Sequence, residues 1–88
     1  MIKAFTDGAS RKNPGLAACA FVVFENEKML CQEGFFLGER TNNYAEYVGI
    51  IKLLEWAGRN SISNLEINSD SELVVKQVKR DYSVNDRR

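Results

Sequence analysis

The first half of the chain has the pattern of three short β-strands separated by turns. Ile2 to Asp7 is largely apolar and leads into residues 8–15, a polar and glycine-containing stretch that is typical of a turn. Leu16 to Glu25 is apolar and bounded by turn residues, so we expect a buried strand there. Asn26 to Lys28 suits a hairpin turn into a third strand around Met29 to Leu37. The pattern predicts an antiparallel meander.

The hydrophobic period changes in the second half. From Tyr44 to Ala57, apolar residues recur at steps of three and four, which is the signature of an amphipathic helix. Asn43 is a suitable N-cap for this helix, and Gly58 or Asn60 a suitable end. The pattern therefore predicts one long helix directly after the meander.

Two shorter elements follow the helix. Leu65 to Asn68 alternates as a fourth strand, and Ser71 to Arg80 returns to helical spacing. The predicted order is βββαβα, which makes the chain an α/β protein. With 88 residues, of which 44% are hydrophobic and 27% charged, the chain is too apolar for disorder and too short for two domains. We expect a single domain spanning residues 1–88.

Charge and hydropathy exclude several classes of protein. The 12 basic and 12 acidic side chains cancel, so no global field draws the chain to a polyanion. The longest uncharged apolar run, Leu16 to Phe24, is far short of the ~20 residues of a membrane span. The N-terminus has no signal-peptide pattern. We expect a cytoplasmic protein that does not contact a membrane.

The composition also limits the chemistry. The chain has no histidine, which excludes histidine zinc sites and Ser-His triads. Cys19 and Cys31 are too few for a disulfide framework and are not in a C-x-x-C motif. Carboxylates with a hard divalent cation are then the leading option.

Three carboxylates stand at element ends in the predicted fold: Asp7, Glu46 and Asp70. Each has an ordinary structural explanation. Asp7 and Gly8 form a common turn dipeptide. Glu46 follows Asn43 by three residues, as the glutamate of a capping box does, and Asp70 could be the N-cap of a second helix. Taken singly, the three acids favour a structural role.

Their order along the chain changes this interpretation. Four blocks occur in series: Thr6-Asp7-Gly8-Ala9-Ser10, Asn13-Pro14-Gly15, Thr41-Asn42-Asn43-Tyr44-Ala45-Glu46-Tyr47 and Asn68-Ser69-Asp70-Ser71-Glu72-Leu73-Val74. The series resembles the type 1 ribonuclease H family, in which the same blocks appear at similar spacings. The similarity extends from about Phe5 to about Tyr82, which is nearly the whole chain.

The resemblance implies an α/β fold with a mixed sheet, and an endonuclease that hydrolyses the RNA strand of RNA:DNA hybrids. Asp7, Glu46 and Asp70 match the first three metal-binding acids of the family, and the expected cofactor is Mg²⁺, with two ions in the family and Mn²⁺ as a substitute. Two divalent cations can stabilise both the attacking and the leaving oxygen of an in-line phosphoryl displacement. The three acids are therefore expected to form one cation site.

Short polar and small residues around the acids are expected to bind the hybrid. Asn13 and Asn43 match positions where the family meets the minor groove, and an amide can both donate to and accept from a 2′-OH. Alternatively, these asparagines are only turn and cap residues. The expected substrate-binding residues are Gly8, Ala9, Ser10, Asn13, Asn42, Asn43 and Ser71.

The chain departs from the family at its C-terminal side. The family has a fifth strand, a C-terminal helix and a fourth acid there, and the pattern of this chain predicts none of them, so we expect a truncated domain. Residues 65–68 would then be an exposed sheet edge, with which a second copy of the chain or a separate C-terminal fragment could pair. The alternative function is a noncatalytic nucleic-acid-binding or protein-interaction module that keeps the fold.

Overall fold

The computed structural model describes residues 1–69 and the backbone of residues 83–86. Its elements are β1 (Ile2–Ser10), β2 (Gly15–Glu25), β3 (Lys28–Arg40), α1 (Asn42–Arg59), β4 (Glu66–Ser69) and β5 (Ser83–Asp86). The predicted meander, long helix and fourth strand are confirmed, although each strand of the meander is longer than its hydrophobic pattern indicated. The helix predicted over residues 71–80 lies outside the described residues.

The strands form one mixed sheet in the order β3-β2-β1-β4-β5. β1 pairs antiparallel with β2, and β2 pairs antiparallel with β3, as expected of two consecutive hairpins. β4 returns beside β1 in parallel, with Phe5 opposite Asn68. The long connection through α1 makes this parallel pairing sterically accessible. The predicted α/β fold with a mixed sheet is therefore confirmed.

The prediction that a fifth strand is absent is wrong. Residues Ser83–Asp86 pair in parallel with β4, from Glu66 opposite Ser83 to Ser69 opposite Asp86. The sequence pattern missed β5 because four residues with one apolar side chain, Val84, give no periodic signal. Since β4 is paired on both sides, its edge is not open, and the predicted homodimer or fragment docking through the fourth strand loses its structural basis.

The hydrophobic core lies between one face of the sheet and α1. Alternate residues of β1 and β2 point towards the helix, which is the period-two pattern of a strand with one buried face. The buried core cluster comprises Ala4, Phe21, Val23, Ile50, Leu53, Trp56, Ala57, Leu65 and Ile67. Trp56 is thus a packing residue, with its ring centroid 6.4 Å from that of Phe21. This packing fixes α1 across β1 and β2.

The helix begins two residues earlier than its hydrophobic period indicated. Thr41 is the N-cap, and its Oγ1 accepts a hydrogen bond from the backbone N–H of Tyr44 at 3.1 Å. The prediction of Asn43 as N-cap is therefore wrong, because a threonine cap was available before the first apolar position. At the other end, Asn60 is the C-cap, as predicted. In the described part of the chain, no helix is long and apolar enough to cross a membrane.

Candidate active site

Asp7 and Gly8 lie inside β1 rather than in a turn. The strand continues to Ser10, and Asp7 pairs with Ala20 of β2. The turn explanation for Asp7 is therefore excluded. Its side chain is exposed on the face of the sheet opposite α1, whereas Gly8 is buried on the helix side. Asp7 is thus an accessible carboxylate on a rigid central strand.

The backbone of α1 rests directly on β1 at Gly8. A Cβ atom built on Gly8 would lie 2.4 Å from the carbonyl carbon of Ala45 and 2.6 Å from the backbone nitrogen of Glu46. These distances are far below van der Waals contact, so only glycine permits this approach. One turn further along α1, a Cβ on Gly49 would lie 3.7 Å from the carbonyl oxygen of Asp7. The glycine contact brings the strand that carries Asp7 against the helix turn that carries Glu46.

Glu46 is half-buried and does not belong to a capping box. With Thr41 as the N-cap, the third helical position is Tyr44, and the glutamate of a capping box would have to occupy that position. Glu46 lies two residues further into α1. The capping explanation for this carboxylate is therefore excluded, and its position above Gly8 has no structural role of that kind.

The third predicted acid, Asp70, and the predicted substrate-binding residue Ser71 lie outside the described residues. Among the residues that are described, no group of three or more Cys, Asp or Glu side chains is placed to hold a metal ion. The nearby thiol of Cys19 is buried among core residues, and burial raises its pKa despite the opposing charge of Lys52. Oxygen ligands are therefore the available donors, and they suit a hard cation such as Mg²⁺.

The predicted substrate-binding residues of the β1–β2 loop contact the start of α1. The backbone N–H of Ser10 donates to Oδ1 of Asn42 at 2.6 Å, and the backbone N–H of Asn42 donates to Oδ1 of Asn13 at 3.0 Å. Ala9, Asn13, Asn42 and Asn43 are exposed. The structure therefore brings Ser10, Asn13 and Asn42 together where the strand of Asp7 meets the start of the helix of Glu46.

A cationic side chain beside this group was not singled out from the sequence. The guanidinium of Arg40 lies 5.0 Å from the centroid of the Tyr44 ring, a cation–π contact at the start of α1. Arg40 ends β3 and Tyr44 lies in α1, so no spacing within a single element indicates this contact. Arg11 and Lys12 are exposed in the β1–β2 loop. Positively charged side chains therefore lie in the same loop and at the same helix start as the exposed asparagines.

A five-stranded mixed sheet crossed by a helix is the architecture shared with ribonuclease H structures. The family model described as RNase H matches residues 1–87. Ribonuclease HI of Halobacterium salinarum is 40% identical over 86 residues, which cover 97% of this chain and 43% of that protein. This chain belongs to the ribonuclease H family.

Solved structures agree with this assignment. LC11-RNase H1 in complex with RNA/DNA hybrid superposes with a TM-score of 0.81 at 33% identity, covering 98% of this chain and 66% of that one. RNase H1 from the halophilic archaeon Halobacterium salinarum NRC-1 gives a TM-score of 0.79 at 38% identity, covering 97% of this chain and 65% of that one. This chain thus spans less than two thirds of the length of these relatives.

Proposed function

We propose that this chain hydrolyses the RNA strand of RNA:DNA hybrids with the help of divalent cations held by Asp7, Glu46 and Asp70. The observation that carries the proposal is the contact of Gly8 with the first turns of α1, because it sets the strand of Asp7 against the helix of Glu46. Family membership over residues 1–87 supports the reaction class, and the hybrid in the LC11-RNase H1 complex supports the substrate.

The register of the sheet supports Asp70 as the third ligand. Phe5 of β1 is opposite Asn68 of the parallel strand β4. Asp7 follows Phe5 by two residues, and Asp70 follows Asn68 by two residues. Equal offsets along parallel neighbours are expected to bring two side chains to the same end of the sheet. Asp70 itself is outside the described residues, so its role rests on this offset and on the family pattern.

The donor set fits a hard cation. Asp7 is exposed and Glu46 half-buried, so both carboxylates can reach a hydrated ion. When bound, such cations stabilise the charge that develops on the phosphate and on the leaving oxygen. The role of the carboxylates is to bind and orient the cations. Exposed amides such as that of Asn43 donate to groups of the minor groove and to the 2′-OH. The cytoplasmic location expected from the sequence stays a prediction.

The direct test is cleavage of a labelled RNA:DNA hybrid with Mg²⁺ or Mn²⁺. Wild-type protein is expected to cut only the RNA strand and to leave duplex DNA and duplex RNA intact. Asp7→Asn, Glu46→Gln and Asp70→Asn should each lose at least about tenfold in rate, because each removes a charged ligand. Glu55→Gln, on the exposed side of the same helix, is the matched control and should cut normally.

Binding measured on the same hybrid separates the catalytic function from the alternative. A noncatalytic module would retain the hybrid in a mobility-shift assay and would show no cleavage with either metal. Equal cleavage rates for wild type and Asp7→Asn would assign the activity to a contaminant and contradict the proposal.

A further inference from the structure

The β1–β2 loop and the start of α1 are joined by two hydrogen bonds in series. Asn42 Oδ1 accepts from the backbone N–H of Ser10, and Asn13 Oδ1 accepts from the backbone N–H of Asn42, across 32 and 29 residues of sequence. We name this pair of hydrogen bonds the loop tie. It connects residues distant in the chain through one asparagine that donates with its backbone and accepts with its side chain.

The loop tie contributes to the capping of α1. Asn42 is the first helical residue after the Thr41 cap, and its N–H belongs to the donors that have no partner within a helix. Thr41 Oγ1 accepts a hydrogen bond from the N–H of Tyr44, and the Thr41 carbonyl accepts one from the N–H of Ala45. Asn13 therefore acts as a cap that is supplied by a remote loop.

The loop tie joins the strand that carries Asp7 to the helix that carries Glu46. Ser10 is three residues after Asp7 on β1, and Asn42 is four residues, about one helical turn, before Glu46 on α1. The Gly8 contact already sets β1 against the backbone of Ala45 and Glu46. The loop tie adds a second point of attachment between the same strand and the same helix, which resists rotation of one against the other.

We propose that Asn42 is a positioning residue, which holds β1 and α1 in register through the loop tie so that Asp7 and Glu46 keep a fixed relative placement. The consequence for catalysis rests on the proposed function, whereas the tie itself does not. The tie uses the Oδ1 acceptors of Asn42 and Asn13 and not their Nδ2 donors. The role of Asn42 therefore resides in its acceptor.

Two substitutions separate the acceptor from the donor. Asn42→Ala removes both, whereas Asn42→Asp keeps Oδ1 and removes the Nδ2 donors. Amide exchange should show the Ser10 N–H exchanging at least about fivefold faster in Asn42→Ala and near the wild-type rate in Asn42→Asp, since a lost hydrogen bond is worth ~1 kcal/mol. With a labelled hybrid, kcat should fall about tenfold in Asn42→Ala and recover in Asn42→Asp, even where added negative charge raises KM.

Asn60→Ala is the matched control. The side chain of Asn60 likewise bonds to the backbone, but as a donor and at the opposite end of α1: its Nδ2 donates to the carbonyl of Trp56 at 2.8 Å. This variant should leave the exchange of Ser10 and the value of kcat unchanged. Unaltered Ser10 exchange in Asn42→Ala would overturn the loop tie. A kcat as low in Asn42→Asp as in Asn42→Ala would overturn positioning through the acceptor and indicate contact through Nδ2.

Failure of the proposed function gives a different result. If the wild-type protein cuts no hybrid, the proposed function is contradicted, and Ser10 exchange still decides whether the tie exists. In that case the placement of the acids is tested by Mn²⁺ calorimetry. Weaker binding in Asn42→Ala than in wild type and in Asn60→Ala supports positioning, and binding equal to that of wild type overturns it.

Discussion

The two faces of the sheet differ in what covers them. On the α1 side, Phe21 is 2% exposed and Ile67 is fully buried among helix residues. On the opposite face, no described residue forms a covering layer, and Phe36 is 74% exposed. The difference shows that hydrophobic stabilisation is concentrated on the helix side, while the open face presents Asp7 with apolar neighbours such as Phe5 and Ala20. The hydrophobic core thus lies on the face that α1 covers, whereas Asp7 lies on the other face of the same strands.

The largest expected contrast between the faces comes from two phenylalanines. Phe21→Ala removes a ring that packs against Phe35 and Trp56, so the free energy of unfolding should fall by ~3–5 kcal/mol. Phe36→Ala, on the open face opposite Ala18, should change it by less than about 0.5 kcal/mol. Urea denaturation of both variants provides the measurement. A comparable loss for Phe36→Ala would mean that the open face is buried in solution.

A smaller contrast is expected from two glycines. Gly8→Ala forces a methyl group against the backbone of Ala45, and we expect a loss of ~1–3 kcal/mol together with reduced cleavage. A Cβ on Gly34, in β3, would meet only the carbonyl oxygen of Cys19, at an ordinary 3.9 Å. Gly34→Ala should therefore be neutral or stabilise the protein by up to about 1 kcal/mol. Thermal denaturation distinguishes the two outcomes, and equal melting temperatures would contradict a direct contact of strand and helix at Gly8.

The sequence predicted the elements with a clear apolar pattern and missed those without one. The apolar runs of β1 and β2, which turn residues bound, and the three-to-four spacing of α1 were readable, because these strands and this helix pack on one another. Thr41 was missed as the cap because the helix starts before its first apolar residue, Tyr44. β5 was missed because four residues with a single apolar side chain carry no period.

The candidate site was predictable as residue identities rather than as contacts. The acids were identified from the order of family blocks, since each acid alone had a structural explanation. The fold excludes two of these structural explanations, because Asp7 is inside a strand and Glu46 is beyond the capping position. The hydrogen bonds from Ser10 to Asn42 and from Asn42 to Asn13 join distant parts of the chain, which no local pattern reports.

The smallest expected effect is a pH dependence of stability, which we expect from the two thiols, Cys19 and Cys31. Burial raises the pKa of the Cys19 thiol, and burial together with Glu33 raises the pKa of the Cys31 thiol. The folded state therefore holds these protons more tightly than the unfolded state does. Their contribution to stability is full at neutral pH and is lost as the pH rises above about 9. Denaturation midpoints measured from pH 7 to pH 10 should fall at the alkaline end.

Variants at each cysteine identify the source of this pH dependence. The alkaline decrease should be smaller in Cys19→Ala than in wild type, even though the substitution lowers stability at every pH. In the folded protein, iodoacetamide should modify the half-buried Cys31 before the buried Cys19. Faster modification of Cys19 would show that α1 does not cover the sheet at that position.

The central claim is that Asp7 on the open face and Glu46 on the helix act on the same cation. A double-mutant cycle of Mn²⁺ affinity tests it most directly, with calorimetry on wild type, Asp7→Asn, Glu46→Gln and the double variant. Each single substitution should weaken binding, and the double variant should lose far less than the product of the two single losses, because the shared site is already impaired. Independent, multiplicative losses, or full affinity in either single variant, would contradict a shared site.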